Sequence, residues 1–151
     1  MIANTITTIR KTREHLIQLL EGLTAEQLNR VPSGFNNNII WNLAHLVSAQ
    51  QGICYTRADK DIVTDDKYFT PYRPGTKPDG FIDEAEIVTI KHLLFSTIDQ
   101  LETDYNKDVF ANYGAWISRY GVEINTIEDA INFLPFHDGM HIGYIMAMKR
   151  A

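Results

Sequence analysis

The sequence predicts an all-α fold. Four separate stretches repeat apolar residues every three to four positions, the period of a helix with one buried face. Residues that cap helices stand in front of these stretches, and the alternation expected of strands is scarce.

The first stretch covers about residues 4–21. Ile6, Ile9, Leu16, Ile17 and Leu20 recur at helical spacing, while Arg10, Lys11, Arg13 and Glu14 fall mostly on other faces. Thr24-Ala25-Glu26-Gln27 reads as a capping box that opens a short helical turn, closed by Pro32. A second helix follows Asn36-Asn37-Asn38, with asparagine as its N-cap, and runs to about Tyr55; Leu43, Leu46, Val47, Ile53 and Cys54 form its apolar side. The third starts after Asp83, with Glu86 at the third helical position, and Ile87, Ile90, Leu94, Ile98, Leu101 and Tyr105 continue one stripe.

The fourth helix starts near Asn125 or Thr126. Glu128 and Asp129 suit the positive end of its dipole, and Lys149 and Arg150 suit the negative end. Its stripe is Ile127, Ile131, Leu134, His141, Ile145 and Met148. Pro135 predicts a kink around residues 131–135 or a fresh start there. A second apolar stripe, Phe133, Phe136, Met140, Gly143 and Ala147, predicts a twofold homodimer, with loops folded over the stripe as the monomeric alternative.

Two connections are long. Residues 56–82 carry Pro71, Pro74, Pro78, Tyr68, Phe69 and Tyr72, and residues 106–124 carry Tyr113, Trp116 and Tyr120. Connections of this length commonly carry function, and the aromatics Tyr68, Phe69, Tyr72, Tyr113 and Trp116 suggest a pocket wall or anchors for the loops. The second connection has room for a short hairpin from Trp116 to Ile124.

The 151 residues suffice for one domain, taken as 1–151, and the 44% hydrophobic content is ordinary for a globular protein. A net charge of -5 argues against a nucleic-acid partner. No apolar run is long enough to span a membrane, and the first five residues lack the features of a signal peptide. Cys54 stands alone, so no disulfide can form within the chain, and the cytoplasm is the expected compartment.

Chemistry concentrates in the histidines. His137 and His141 are four residues apart and so share a helix face. His45 lies far upstream, beside Trp41 and among the small neighbours Ala44, Ser48, Ala49 and Gly52, which leave room for an ion or ligand. Three imidazoles on one divalent ion leave coordination positions free, the layout of a catalytic site. A single histidine on an apolar face is more often a hydrogen-bonded core residue, but here the pair lies within the stripe and Asp138 and Tyr144 offer polar groups nearby. His15 and His92 are expected at the surface, and Cys54 as a small buried hydrophobe. Imidazole ligates only when neutral, so metal affinity is expected to fall below about pH 6.5.

Two segments resemble one known family. Asn38-Ile39-Ile40-Trp41-Asn42-Leu43-Ala44-His45-Leu46 resembles the second-helix signature of the DinB/YfiT-like metalloenzymes, and Phe136-His137-Asp138-Gly139-Met140-His141-Ile142-Gly143-Tyr144-Ile145 resembles their closing-helix signature. The resemblance takes in the turn at Thr24-Ala25-Glu26-Gln27-Leu28 and spans nearly the whole chain. It implies an up-down-down-up four-helix bundle with a long crossover between the second and third helices, matched by residues 56–82. It implies a divalent metal, zinc or nickel, on His45, His137 and His141, and a homodimer. It also implies chemistry on a small molecule, either transfer from a low-molecular-weight thiol or a hydrolase-like reaction. One departure is Tyr144, where many members place glutamine.

No carboxylate has the spacing of a His-Glu-x-x-His general base, and Asp138 points about 100° away from its neighbour His137 on a regular helix. That favours metal-assisted transfer over a peptidase-like reaction. The competing reading is a non-catalytic binding or interaction bundle, in which the histidines are a structural or vestigial site.

Overall fold

The protein is described here by a computed structural model covering residues 2–151, and it is all-α apart from one short hairpin. Helix α1 spans Ile2–Leu19 and α2 spans Ala25–Asn29. The expected capping box opens α2: Gln27 N donates to Thr24 Oγ1 (3.2 Å) and Thr24 N donates to Gln27 Oε1 (2.8 Å). Helix α3, Ile39–Gln50, is capped by Asn38, whose Oδ1 accepts from Trp41 N at 2.8 Å. It runs on through a π-helical turn, Gln51–Tyr55, and a 3-10 turn, Thr56–Ala58.

Helix α4 spans Glu84–Asn106 behind Asp83. Strands β1 (Trp116–Ile117) and β2 (Glu123–Ile124) pair antiparallel, Trp116 opposite Ile124, at the position expected for a hairpin. Helix α5 spans Ile127–Arg150 behind a Thr126–Asp129 capping box. It passes through Pro135 with no fresh start. Proline removes one backbone bond, while an unbroken helix keeps Ile131, Leu134, Ile145 and Met148 on a single buried stripe.

Helices α1 and α3 each pack on both α4 and α5. The interior divides into two apolar clusters. One joins Leu16, Leu20, Leu43, Val47, Ile90, Ile145 and Met148 with Tyr68 and Tyr72 of the long connection. The other joins Ile6, Ile9, Cys54, Tyr55, Ile98, Leu101, Ile124, Ile131 and Leu134. Tyr68 and Tyr72 therefore anchor the connection in the core, one of the two roles expected for the loop aromatics, and Tyr72 also edges a small pocket beside Pro71 and Pro78. His15 and His92 are exposed and Cys54 is buried.

A polar layer lies where the clusters meet, and it corrects the reading of α1. Arg13 was expected off the core face, yet it is fully buried between Ile9 and Leu16. Its Nε donates to Asp138 Oδ2 at 2.8 Å, and one terminal nitrogen donates to both Gln50 Oε1 (3.1 Å) and the Leu94 carbonyl (2.8 Å). Gln50 in turn donates to the Thr97 carbonyl at 2.9 Å. One side chain thus ties α1 to α3, α4 and α5.

The hairpin folds over part of the second α5 stripe: Trp116 meets Phe133 edge-on with 6.3 Å between centroids, and Tyr120 meets Phe136 at 5.1 Å. Gly143 and Ala147 stay exposed. Among the described residues no helix is long and apolar enough to cross a membrane.

Candidate metal centre

Helix α3 presents His45, and α5 presents His137 and His141 one turn apart. The three rings converge: centroids of His45 and His137 are 5.2 Å apart, those of His45 and His141 4.6 Å, and those of the α5 pair 4.6 Å. One nitrogen from each can be chosen so that all lie within 4.8 Å of one another.

Hydrogen bonding decides which nitrogen is free on His45 and on His141. His45 Nδ1 lies 2.6 Å from the Tyr72 carbonyl oxygen, which can only accept, so Nδ1 carries the hydrogen. His141 Nδ1 lies 2.8 Å from Asn42 Oδ1. The amide nitrogen of Asn42 donates to Asn37 Oδ1 (2.9 Å) and to the Asn38 carbonyl (2.8 Å), so its oxygen is the atom turned to His141. Both rings therefore keep their Nε2 lone pairs for the centre. Partners of this kind fix the tautomer and orientation of a metal-binding histidine. Trp41 lies parallel to His45, with 4.8 Å between centroids and 9° between planes, and holds that ring from the other side.

Electrostatics agree with neutral ligands. Burial pushes the His45 imidazole down to about 4, against an upward pull from the Tyr72 carbonyl. Burial, then the nearby His137 and His45, pushes His141 down to about 3. For these two rings protons are expected to compete with a metal ion only at a lower pH than the about 6.5 of a free imidazole, because a buried imidazole resists protonation until the solution is more acidic.

Asp138, which the sequence offers as a polar group near the histidines, does not face solvent. It is 1% exposed and points at Arg13, with Oδ1 3.9 Å from His137 Nδ1. Burial alone would raise its carboxyl, but the Arg13 guanidinium and the neighbouring His137 hold it below the usual carboxylate range. His137 Nδ1 is buried with no hydrogen-bond partner.

The donor set fits a divalent ion. A tetrahedral ion with bonds of 2.0–2.1 Å separates its donors by about 3.3 Å, so closing this trio takes at most about 1.5 Å of movement. All three donors are imidazole nitrogens, a borderline-soft set that suits the later first-row metals.

The histidines open into a cleft of about 1000 Å³. Phe69, Trp116, Met140 and Tyr144 line it; Tyr113 instead anchors its loop, donating to the Ile53 carbonyl at 2.7 Å. Tyr144, in the glutamine position, packs edge-on against Phe35 (5.1 Å). Sequence reasoning missed Asn42 and the Tyr72 carbonyl. Asn42 had a usable signal, a polar residue three positions before His45 on the same helix; the carbonyl had none.

Fold and site together define a helical protein with an open three-histidine cluster able to hold a metal ion. The family model of the DinB superfamily matches residues 8–145, and the chain belongs to that superfamily. No curated protein matches it in sequence.

Proposed function

We propose that this protein is a metal-dependent enzyme acting on a small molecule, with zinc or nickel held by His45, His137 and His141. The observation that carries the reading is the convergence of three imidazoles, two of them with their outer nitrogens already engaged, in a cleft large enough for a substrate. Bound there, the ion supplies Lewis acidity that lowers the pKa of a coordinated thiol or water.

The chain's own groups favour transfer from a low-molecular-weight thiol over hydrolysis. No aspartate or glutamate lines the cleft, so no carboxylate stands ready to take a proton from water. A thiol, being far more acidic, needs no such base. Phe69, Trp116 and Met140 form an apolar part of the wall, and Tyr72 and Asn42 hold two imidazoles in place throughout. The expected result is that zinc- or nickel-loaded protein consumes a small thiol in the presence of an activated aryl halide, and that His141→Ala removes at least 90% of the rate. Equal rates for the two proteins would overturn the enzymatic reading.

The finer architecture belongs to the same proposal: a single domain over 1–151, arranged as an up-down-down-up bundle with residues 56–82 as the crossover between α3 and α4. What supports it is which ends meet. The start of α1 shares a cluster with the start of α5 and the end of α4, and the end of α1 shares one with the starts of α3 and α4. We place the protein in the cytoplasm, as a homodimer through the exposed Phe136, Gly143 and Ala147 face of α5. Sedimentation at micromolar concentration is expected to give twice 17.3 kDa, and a 17.3 kDa species removes the dimer.

A further inference from the structure

The chain has 14 lysines and arginines against 19 aspartates and glutamates. The histidine cleft reverses that balance: Arg57, Arg73, Lys77 and Arg119 line it, and no carboxylate does. We propose that this cleft takes an anionic small molecule, whose carboxylate, phosphate or sulfonate group is bound by these four cations. The inference names the substrate class for the cleft proposed above as the reaction site, so it rests on that reading.

The grouping is not the by-product of a basic run in the sequence. Arg57 comes from the 3-10 turn after α3, Arg73 and Lys77 from the connection to α4, and Arg119 from the turn between β1 and β2. Tertiary structure brings three segments together, in a protein of net charge -5. Gathering like charges costs Coulomb energy, which a bound anion would offset.

None of the four is spent on the protein itself. Arg10, Lys11, Arg13 and Lys67 each pair with a carboxylate, whereas no carboxylate of the described residues lies within 4.0 Å of the cleft cations. Two of them are nevertheless held in place. The Arg57 guanidinium sits 4.5 Å from the centroid of Trp116, and that of Arg73 sits 5.3 Å from the centroid of Phe69. Stacking fixes a guanidinium while leaving its N–H fork free for an oxyanion.

The backbone under Arg57 is pinned as well. Gly114 N donates to the Arg57 carbonyl at 2.7 Å, and a Cβ at position 114 would come within 2.8 Å of that same oxygen. The contact sets the hairpin against the end of α3 and brings Trp116 beneath Arg57. At the other wall, Arg73 directly follows Tyr72, whose carbonyl oxygen receives the His45 hydrogen. An anion on the cations therefore lies beside the histidines.

Inorganic phosphate, titrated into metal-free protein at constant ionic strength with chloride as the balancing ion, tests this. Trp41 and Trp116, the two tryptophans of the chain, both line the cleft, so their fluorescence reports occupancy. The expected result is a saturable change in the millimolar range. The double variant Arg73→Gln, Arg119→Gln is expected to bind at least tenfold more weakly with unchanged helical circular dichroism, and Lys67→Gln, whose cation lies outside the cleft, to bind as the parent does. No saturable change, or equal affinity in all three proteins, overturns the inference. Separate metal analysis keeps the two readings distinguishable. Phosphate bound without metal affinity would sink the enzymatic reading alone, and metal bound without phosphate affinity would sink this one alone.

Discussion

Arg13→Ala is expected to destabilise the protein by about 3–5 kcal/mol, because it leaves the Asp138 carboxylate buried and unpaired. Most domains are stable by only 5–15 kcal/mol, so this one change takes a large share of the total. The magnitude follows from burial: Arg13 is 0% and Asp138 1% exposed, and neither can turn to water without opening α1 from α5. The loss also removes one hydrogen bond each from the Gln50 amide oxygen and the Leu94 carbonyl, both acceptors from the same guanidinium nitrogen. Replacing both charges, Arg13→Met with Asp138→Leu, is expected to recover most of the loss, since a buried pair exchanged for apolar side chains is often near neutral. Urea denaturation measures the three proteins. A loss under about 1 kcal/mol for Arg13→Ala would mean that water reaches Asp138 and that the polar layer does not hold the helices together.

One divalent ion per chain is expected on reconstitution with zinc or nickel, and His45→Ala is expected to weaken its binding at least 100-fold. Two imidazoles on one helix remain in that variant, but the ligand from α3 is gone. Asn42→Ala is expected to cost about 10- to 100-fold, the usual effect of removing the partner that orients a ligand. Acid should release the ion only well below pH 6.5. The sign follows from the lowered pKa values: with His45 near 4 and His141 near 3, protons compete for these nitrogens only as the solution approaches those values. Metal content by elemental analysis across pH 4–7 checks all three. No difference between the parent and His45→Ala would mean that the ion sits elsewhere, and half-release near pH 6.5 would mean that burial does not protect His45 and His141 from protons.

Some of this was legible because the physics is local. Helix starts follow from a capping side chain within three residues, as at Thr24, Asn38, Asp83 and Thr126, and all four cap as their sequences indicate. The spacing of His137 and His141 places both on one face through helix geometry alone. The hairpin from Trp116 to Ile124 was likewise visible in the sequence, and its register needed no distant partner.

What was not legible depends on partners far along the chain. Arg13 reads as a surface residue because burying a lone guanidinium is prohibitive. It lies in the core because Asp138, 125 residues away, arrives with the matching charge. Asp138 reads only as a polar group near the histidines for the same reason. Nor does the sequence reveal that Arg57, Arg73, Lys77 and Arg119 share a cleft, since they stand in three different connecting segments.

By itself, then, the sequence determined the helical class, the helix starts, the histidine pair and, through its two signatures, the family. Tertiary structure alone decided that α5 continues through Pro135, that Arg13 and Asp138 are buried together, that Tyr72 and Asn42 set the histidine tautomers, and that four cations face the histidines. The division has one physical cause. Caps, periodicity and i, i+4 geometry are settled within a few residues, whereas desolvation and charge pairing depend on which distant groups displace water from a side chain.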